Sequence, residues 1–366
     1  MMRQPIVTVA GHVDHGKTTI LDSLRGSSVA EKEAGRITQK ISFTLFPSEH
    51  IKESCYLIDK YNVPLKIPGF LFIDTPGHQA FTNLRKRGGS LADLAILVID
   101  INEGIMPQTS EVLSILRENK TPFVVALNKI DKISGWRRLD KDLKKNIELQ
   151  AINTKNQYLE KLTKIQAALD SYGFKSDLFY NIKDFTKKLT LIHCSAKSGE
   201  GLPELLMVLC GLSQKFLTEQ LSLGEKGKGV IFEIKKEKAM NYVEAILYDG
   251  KLKQGDNIAI ASFDKPVIAK IRVLEEVLPL SNKFKVTKEA RAATGIRMQV
   301  TQAENILPGM PFQVFKDNME EIEKEFSKQL EEIETDKEGV IVKADSLGSL
   351  EALLTLLRQN KIKVLR

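Results

Sequence analysis

The segment Gly11-His12-Val13-Asp14-His15-Gly16-Lys17-Thr18-Thr19 has the composition of a loop that holds phosphate. Its glycines let backbone N–H groups turn inward and a following helix adds positive potential. Lys17 then bridges the outer phosphates and the Thr18 hydroxyl ligates Mg²⁺. The main chain of Asp14, His15, Gly16 and Thr19 completes such a cradle. In Asp74-Thr75-Pro76-Gly77-His78, Asp74 suits a magnesium ligand acting through water and the Gly77 N–H a contact to a terminal phosphate. Standing alone, an Asp-x-x-Gly is usually just a turn, and His78 is as often an ordinary polar surface residue. Placed after a phosphate sensor, His78 is positioned to orient an attacking water. Asn128-Lys129-Ile130-Asp131 offers a carboxylate, Asp131, that can accept from both the ring N–H and the exocyclic amine of guanine, which adenine cannot supply. The nucleotide expected is therefore GTP. Ser195-Ala196-Lys197 is weaker by itself, with a backbone N–H for the guanine carbonyl as its expected part.

These groups need a common platform. Five short apolar runs precede or separate them: Ile6-Val7-Thr8-Val9, Phe70-Leu71-Phe72-Ile73, Ala95-Ile96-Leu97-Val98-Ile99, Phe123-Val124-Val125-Ala126-Leu127 and Leu191-Ile192-His193-Cys194. Continuous rather than alternating apolarity implies strands buried on both faces, and the helical patterns between them imply parallel crossovers. The fold expected for residues 1–223 is an α/β nucleotide-binding domain with a doubly covered, mostly parallel sheet, residues 132–190 forming a helical insertion. Ligands of such sheets bind beyond the carboxyl ends of the strands, and four of the five runs lead directly into one of the polar motifs. Those motifs should meet along one edge.

After the glycine- and lysine-rich stretch near residue 224, short strands with turn signals at Asp249-Gly250 and Gly255-Asp256 read as an antiparallel β-barrel over 224–315. Residues 316–338 carry Met319, Ile322, Phe326, Leu330 and Ile333 at three- and four-residue steps, an amphipathic linker helix whose expected role is packing. From 339 to 366 the pattern is strand, helix, strand, the start of a small α/β third domain. A unit of 28 residues cannot bury a core of its own, so the polypeptide is expected to continue past Arg366.

Composition narrows the function. With 42% apolar and 28% charged residues the 366-residue chain is ordinary globular material, and no apolar run approaches the ~18 residues of a membrane span. Three widely spaced cysteines, Cys55, Cys194 and Cys210, fit a reduced compartment, the cytoplasm, and form no zinc motif. The net charge of +7 is uneven. Residues 316–338 hold ten acidic and four basic side chains, a net −6 that leaves +13 on the rest, a balance compatible with a polyanionic partner such as RNA.

The ordered motif set resembles the translational GTPases that include elongation factor Tu. Further stretches resemble the archaeal and eukaryotic initiation factor 5B branch, relatives of bacterial initiation factor 2. These are Gly35-Arg36-Ile37-Thr38-Gln39-Lys40-Ile41, the 69–89 run around Asp74-Thr75-Pro76-Gly77-His78-Gln79-Ala80-Phe81, and the 340–353 run containing Asp345-Ser346-Leu347-Gly348-Ser349-Leu350-Glu351-Ala352. The insertion after Asp131, with Gly135-Trp136-Arg137, favours the archaeal or eukaryotic branch over the bacterial one.

The resemblance implies a switch segment whose Thr38 joins Mg²⁺ and the γ-phosphate. It also implies a gate of Val13 and Ile37 that screens the water from His78, and a monovalent cation recruited by Asp14. Arg36 and Lys40 depart from the residues usual in the family, which bears on how the switch closes. The implied function is a GTP-dependent switch that promotes ribosomal subunit joining and cycles between GTP and GDP. Its implied partners are ribosomal subunits and rRNA, with initiator tRNA met only through a C-terminal region outside this chain; no membrane is involved, and the protein is monomeric away from the ribosome. An elongation factor delivering aminoacyl-tRNA would need a barrel where residues 339–366 read βαβ, and a scaffold that binds GTP without hydrolysing it would not need Thr18, Thr38, Asp74 and His78. If Asp131 reads guanine, Asp131→Asn shifts nucleotide preference from GTP toward xanthosine triphosphate; competition binding checks this, and an unchanged GTP affinity would contradict the base contact.

Overall fold

The computed structural model describes residues 2–26, 42–74, 91–237, 240–262, 265–281, 283–301 and 306–315, and, beyond these, 322–324, 326, 339–342, 353, 357, 360 and 362–365. Thr38, Ile37, Gly77 and His78, together with Arg36 and Lys40, lie outside the described residues.

A seven-stranded sheet occupies the first part of the chain, in the order β2-β3-β1-β4-β5-β7-β6. Its strands are β1 (Ile6–Gly11), β2 (Ser42–Pro47), β3 (Gly69–Asp74), β4 (Leu94–Asp100), β5 (Phe123–Asn128), β6 (Ser176–Leu178) and β7 (Leu189–His193). All pairings are parallel except β2 against β3. The five apolar runs are thus strands of one sheet. Two strands are additions to that expectation: β2, whose mixed burial hides the signal, and β6, three residues long.

Burial on both faces follows the two-residue period of a strand. In β4, Leu94, Ile96 and Val98 pack into one core with Ile20, Leu21 and Leu24 of α1 (Lys17–Arg25). Short helices α2 (Ser48–Ser54) and α3 (Tyr56–Lys60) cover the same face. The alternate residues Ala95, Leu97 and Ile99 pack into a second core with Val112, Leu113 and Leu116 of α4 (Pro107–Glu118).

The 132–190 segment forms α5 (Leu143–Glu148), α6 (Ile152–Ser171) and β6, so it is not wholly helical. In α6, Thr154, Tyr158, Leu162, Ile165 and Leu169 recur at helical spacing and are buried, the last four in the second core. Helix α7 (Leu202–Phe216) returns to the first face.

The second unit is a closed six-stranded antiparallel barrel. Strands β8 (Lys228–Glu237), β9 (Met240–Asp249), β11 (Asn257–Ile260), β12 (Val267–Val277), β15 (Thr294–Val300) and β16 (Pro311–Val314) form the ring, which β11 closes by pairing with both β12 and β16. Three short strands decorate it: β10 (Lys251–Lys253) pairs with β14 (Glu289–Arg291), and β13 (Phe284–Val286) extends β12. The barrel seats on the sheet edge through Phe43 of β2, whose ring meets Phe232 edge-on at 5.3 Å. Position 295 has to be glycine, because a Cβ there would come within 2.8 Å of the Phe43 ring. Of the acidic 316–338 segment, the described residues 322–324 and 326 are helical, with Ile322 and Phe326 buried against the barrel core. Beyond it, β17 (Val340–Ile341) and β18 (Val364–Leu365) pair in parallel, as the βαβ pattern requires.

Glu204, in the first turn of α7, is buried. Burial pushes its carboxyl up to about 7, a bond from its own backbone N–H opposing the rise and the Asp142 charge adding to it. The folded state therefore keeps a proton that the unfolded chain has released, and stability falls as pH climbs from the ordinary carboxylate range through 7. Glu204→Gln should raise the melting temperature by about 2–4 °C near pH 8, a gain mostly gone at about pH 5, as thermal denaturation across that range will show.

Candidate functional site

The carboxyl ends of five parallel strands lie side by side. Register places Val9 opposite Asp74, Gly11 opposite Val98, Asp100 opposite Asn128 and Leu127 opposite His193. From this edge the phosphate loop leaves β1 and enters α1. Its turn forces Asp14 to φ 63 and Gly16 to φ 93. A side chain holds Asp14 there only at a cost, a device common at functional loops. At Gly16 glycine is required on a second ground, since a Cβ would meet Asn128 Nδ2 at 2.3 Å.

Lys17 folds back over its own loop, its ammonium donating to the carbonyls of Gly11 at 3.1 Å and His12 at 2.8 Å. Burial lowers its pKa, with Asp74 and Asp14 opposing. A partly desolvated cation of this kind gains most from an anion that arrives with several oxygens. The Thr18 hydroxyl donates to Asp74 Oδ2 at 2.8 Å in a buried position. Two hard oxygen donors so close, beside the helix start, are the donor set that Mg²⁺ accepts.

Asn128 joins the two ends of the site. Its Nδ2 donates to the His15 carbonyl at 2.8 Å, and its Oδ1 accepts the Ala196 N–H at 3.0 Å. Ser195 is buried and its Oγ accepts the Ser198 N–H at 3.2 Å, whereas Lys197 is exposed. Asp131 is exposed in a 3-10 turn over Ile130–Lys132, and Lys129 just before it stands at φ 65. The structure thus brings Lys17, Thr18, Asp74, Asn128, Lys129, Asp131 and the 195–197 loop to one edge.

His15 contributes through its main chain, because its imidazole turns into the core. Nδ1 sits 3.3 Å from the Val98 carbonyl, and Nε2 is 3.3 Å from the Glu103 carboxylate. Burial lowers its pKa, so the ring is neutral at physiological pH, despite the opposing Val98 carbonyl. Cys194, the residue just past β7, is a buried thiol whose pKa burial raises.

Three supporting residues escaped the sequence reading. Asp100, at the end of β4, lies 2.8 Å from the Lys129 ammonium. Burial alone would raise its carboxyl, but Lys129 and the Asn102 N–H outweigh it and hold Asp100 below the ordinary range. Gln108 accepts the Val13 N–H through Oε1 at 3.2 Å, and Glu103 faces His15. A signal for Asp100 was present: it is the polar terminus of the one buried run that no motif follows.

The family model of the elongation factor Tu GTP binding domain matches residues 2–215. A probable translation initiation factor IF-2 of Methanopyrus kandleri is 44% identical over 99% of this chain and 63% of its own length. The corresponding protein of Archaeoglobus fulgidus is 47% identical, again over 99% of this chain and 63% of its own. The crystal structure of GDP-bound aIF5B from Aeropyrum pernix superposes with a TM-score of 0.86 at 40% identity, over all of this chain and 63% of that one. A bacterial selenocysteine-specific elongation factor, at 21% identity and a TM-score of 0.58, shares the fold. The chain spans 63% of the length of the relatives it matches.

The cross-tie generates a test. Asn128→Ala removes both amide bonds and leaves two buried backbone groups unpaired, so GDP affinity should fall by about tenfold to a hundredfold. Titration calorimetry measures this, and an affinity within about twofold of the parent would contradict the role given to the amide.

Proposed function

This chain belongs to the elongation factor Tu GTP-binding family, and on that premise we propose a GTP-hydrolysing switch of translation initiation that promotes ribosomal subunit joining. The observation that carries this reading is the convergence of phosphate loop, Asp74, Asn128–Asp131 and the 195–197 loop on one sheet edge, cross-tied by one amide. The near-complete match to initiation factors supports the place in translation.

GTP sits with its phosphates over the loop amides of 14–19 and Lys17, its base against Asp131 and a backbone N–H of the 195–197 loop, with Lys129 flanking the ring. Thr18, Thr38 and, through water, Asp74 would hold Mg²⁺, which when bound neutralises charge on the phosphates. Gly77 contacts the γ-phosphate and His78 orients the attacking water. Val13 and Ile37 gate that water, and Asp14 recruits a monovalent cation. Bond breaking needs no covalent partner, because Lys17 and the loop amides stabilise the charge that develops. The trigger is the ribosome, whose rRNA phosphates act on His78. The basic remainder of the chain suits that contact.

The domain division is residues 1–223 for nucleotide, 224–315 for the barrel, 316–338 for the linker and 339–366 for a third unit. No residue here is assigned to initiator tRNA. The protein works in the cytoplasm, as a monomer away from the ribosome; among the described residues no helix is long and apolar enough to cross a membrane.

The deciding experiment is GTP turnover with small, large and joined ribosomal subunits. Turnover should be slow alone and rise by about a hundredfold or more with joined subunits, while His78→Ala keeps GTP binding and loses the stimulation. Equal turnover with and without ribosomes, or an unaltered His78→Ala variant, sinks the proposal.

A further inference from the structure

The segment that follows Asp131 is bolted to the loop that follows Ser195. Glu200 is 2% exposed, and each of its carboxylate oxygens is taken by a side chain of the 132–190 segment. Asn146 Nδ2 donates to Oε1 at 2.6 Å and Trp136 Nε1 donates to Oε2 at 3.3 Å. The backbone carbonyl of Glu200 accepts the Ser195 N–H at 2.9 Å. One turn earlier, Arg138 Nη1 donates to the Ser198 carbonyl at 3.0 Å.

The holders are themselves fixed. Asn146 Oδ1 accepts the Leu139 N–H at 2.8 Å, and Gln150 pairs with both backbone groups of Arg137. The Trp136 ring lies 5.5 Å from Tyr158 and 6.3 Å from His193. Tyr158, fully buried, pairs its hydroxyl with His193 Nδ1 at 3.1 Å, and burial drives His193 down to about 3, so the ring beneath Trp136 is uncharged. Burial also raises the Glu200 carboxyl against its two donors, and the Asp131 charge adds to the rise, which places the two carboxylates within each other's field.

Taking a carboxylate out of water costs free energy, and loss of one partner from a buried, hydrogen-bonded group leaves the others unpaired. Here the geometry fixed is the separation of the Asp131 turn and the 195–197 loop, to which the guanine reading gives neighbouring groups on one edge of the base. Resting on the guanine reading above, we propose that Trp136, Asn146 and Glu200 are positioning residues for base selection, holding the Asp131 turn and the 195–197 loop at the spacing that guanine requires. The insertion is therefore a brace for nucleotide specificity. Phosphate affinity, set by Lys17 and the 14–19 amides on the other side of Asn128, does not depend on it.

The test compares GDP with ADP, which shares the ribose and diphosphate but not the base edge, by calorimetry on the intact chain. Glu200→Ala should weaken GDP by about tenfold and Trp136→Phe, which keeps the ring, by about threefold, with ADP unchanged in both. Glu200→Gln turns an amide N–H₂ toward one of the two donors; the double variant Glu200→Gln with Trp136→Phe relieves the clash and should recover GDP affinity toward that of Trp136→Phe alone. Equal losses of GDP and ADP, or full GDP preference retained in the folded variants, overturn the brace. A parent protein with no preference for GDP over ADP overturns the guanine reading itself and the brace with it. Should Glu200→Ala not fold, Trp136→Phe and the double variant carry the decision.

Discussion

The carboxamide of Asn128 is the interaction on which the rest of the site depends. It donates to a carbonyl of the phosphate loop 113 residues earlier in the chain and accepts from an amide 68 residues later. Nothing local could hold those loops at a fixed distance. A carboxylate of the same size would lack the donor and an alanine both groups, so the residue type follows from the two partners it must satisfy. Because Gly16 leaves no room for a Cβ against the same amide, the tight turn of the phosphate loop and the identity of residue 128 are one constraint seen from two sides.

Buried charge surrounds this tie and is arranged unevenly. Asp100 has Lys129 at 2.8 Å and so keeps its charge despite burial. Lys17, by contrast, has backbone carbonyls as its direct partners, with Asp74 and Asp14 acting from further away, and burial wins. A site with one well-compensated pair and one poorly compensated cation is polarised toward an anionic ligand before any ligand is considered.

The barrel adds a mechanical constraint. Strand β2 follows Thr38 in sequence and packs its Phe43 between Phe232 and Gly295, and the Leu280 N–H donates to the Leu45 carbonyl at 2.9 Å. Burying a phenyl ring there contributes about 2–3 kcal/mol. Strand β2 is thus fixed to both units at once, by its ladder to β3 and by these contacts with the barrel.

Chemistry and platform were legible in the sequence for a common reason. Strands buried on both faces must be continuously apolar, and phosphate, metal and base contacts demand particular side chains directly after them, so Ile6–Gly11, Gly69–Asp74 and Phe123–Asn128 announce themselves. Strands β2 and β6 did not, since an edge strand with one half-buried face and a three-residue strand carry too little periodicity. The sequence alone determined which residues could bind phosphate, hold a metal or read guanine. Only the tertiary structure decided that Asp100 backs Lys129, that His15 turns away from the loop it belongs to, and that Trp136 and Asn146 grip Glu200. Those contacts join residues 29 to 83 positions apart, and a hydrogen bond closed by folding leaves no mark in the spacing of its partners.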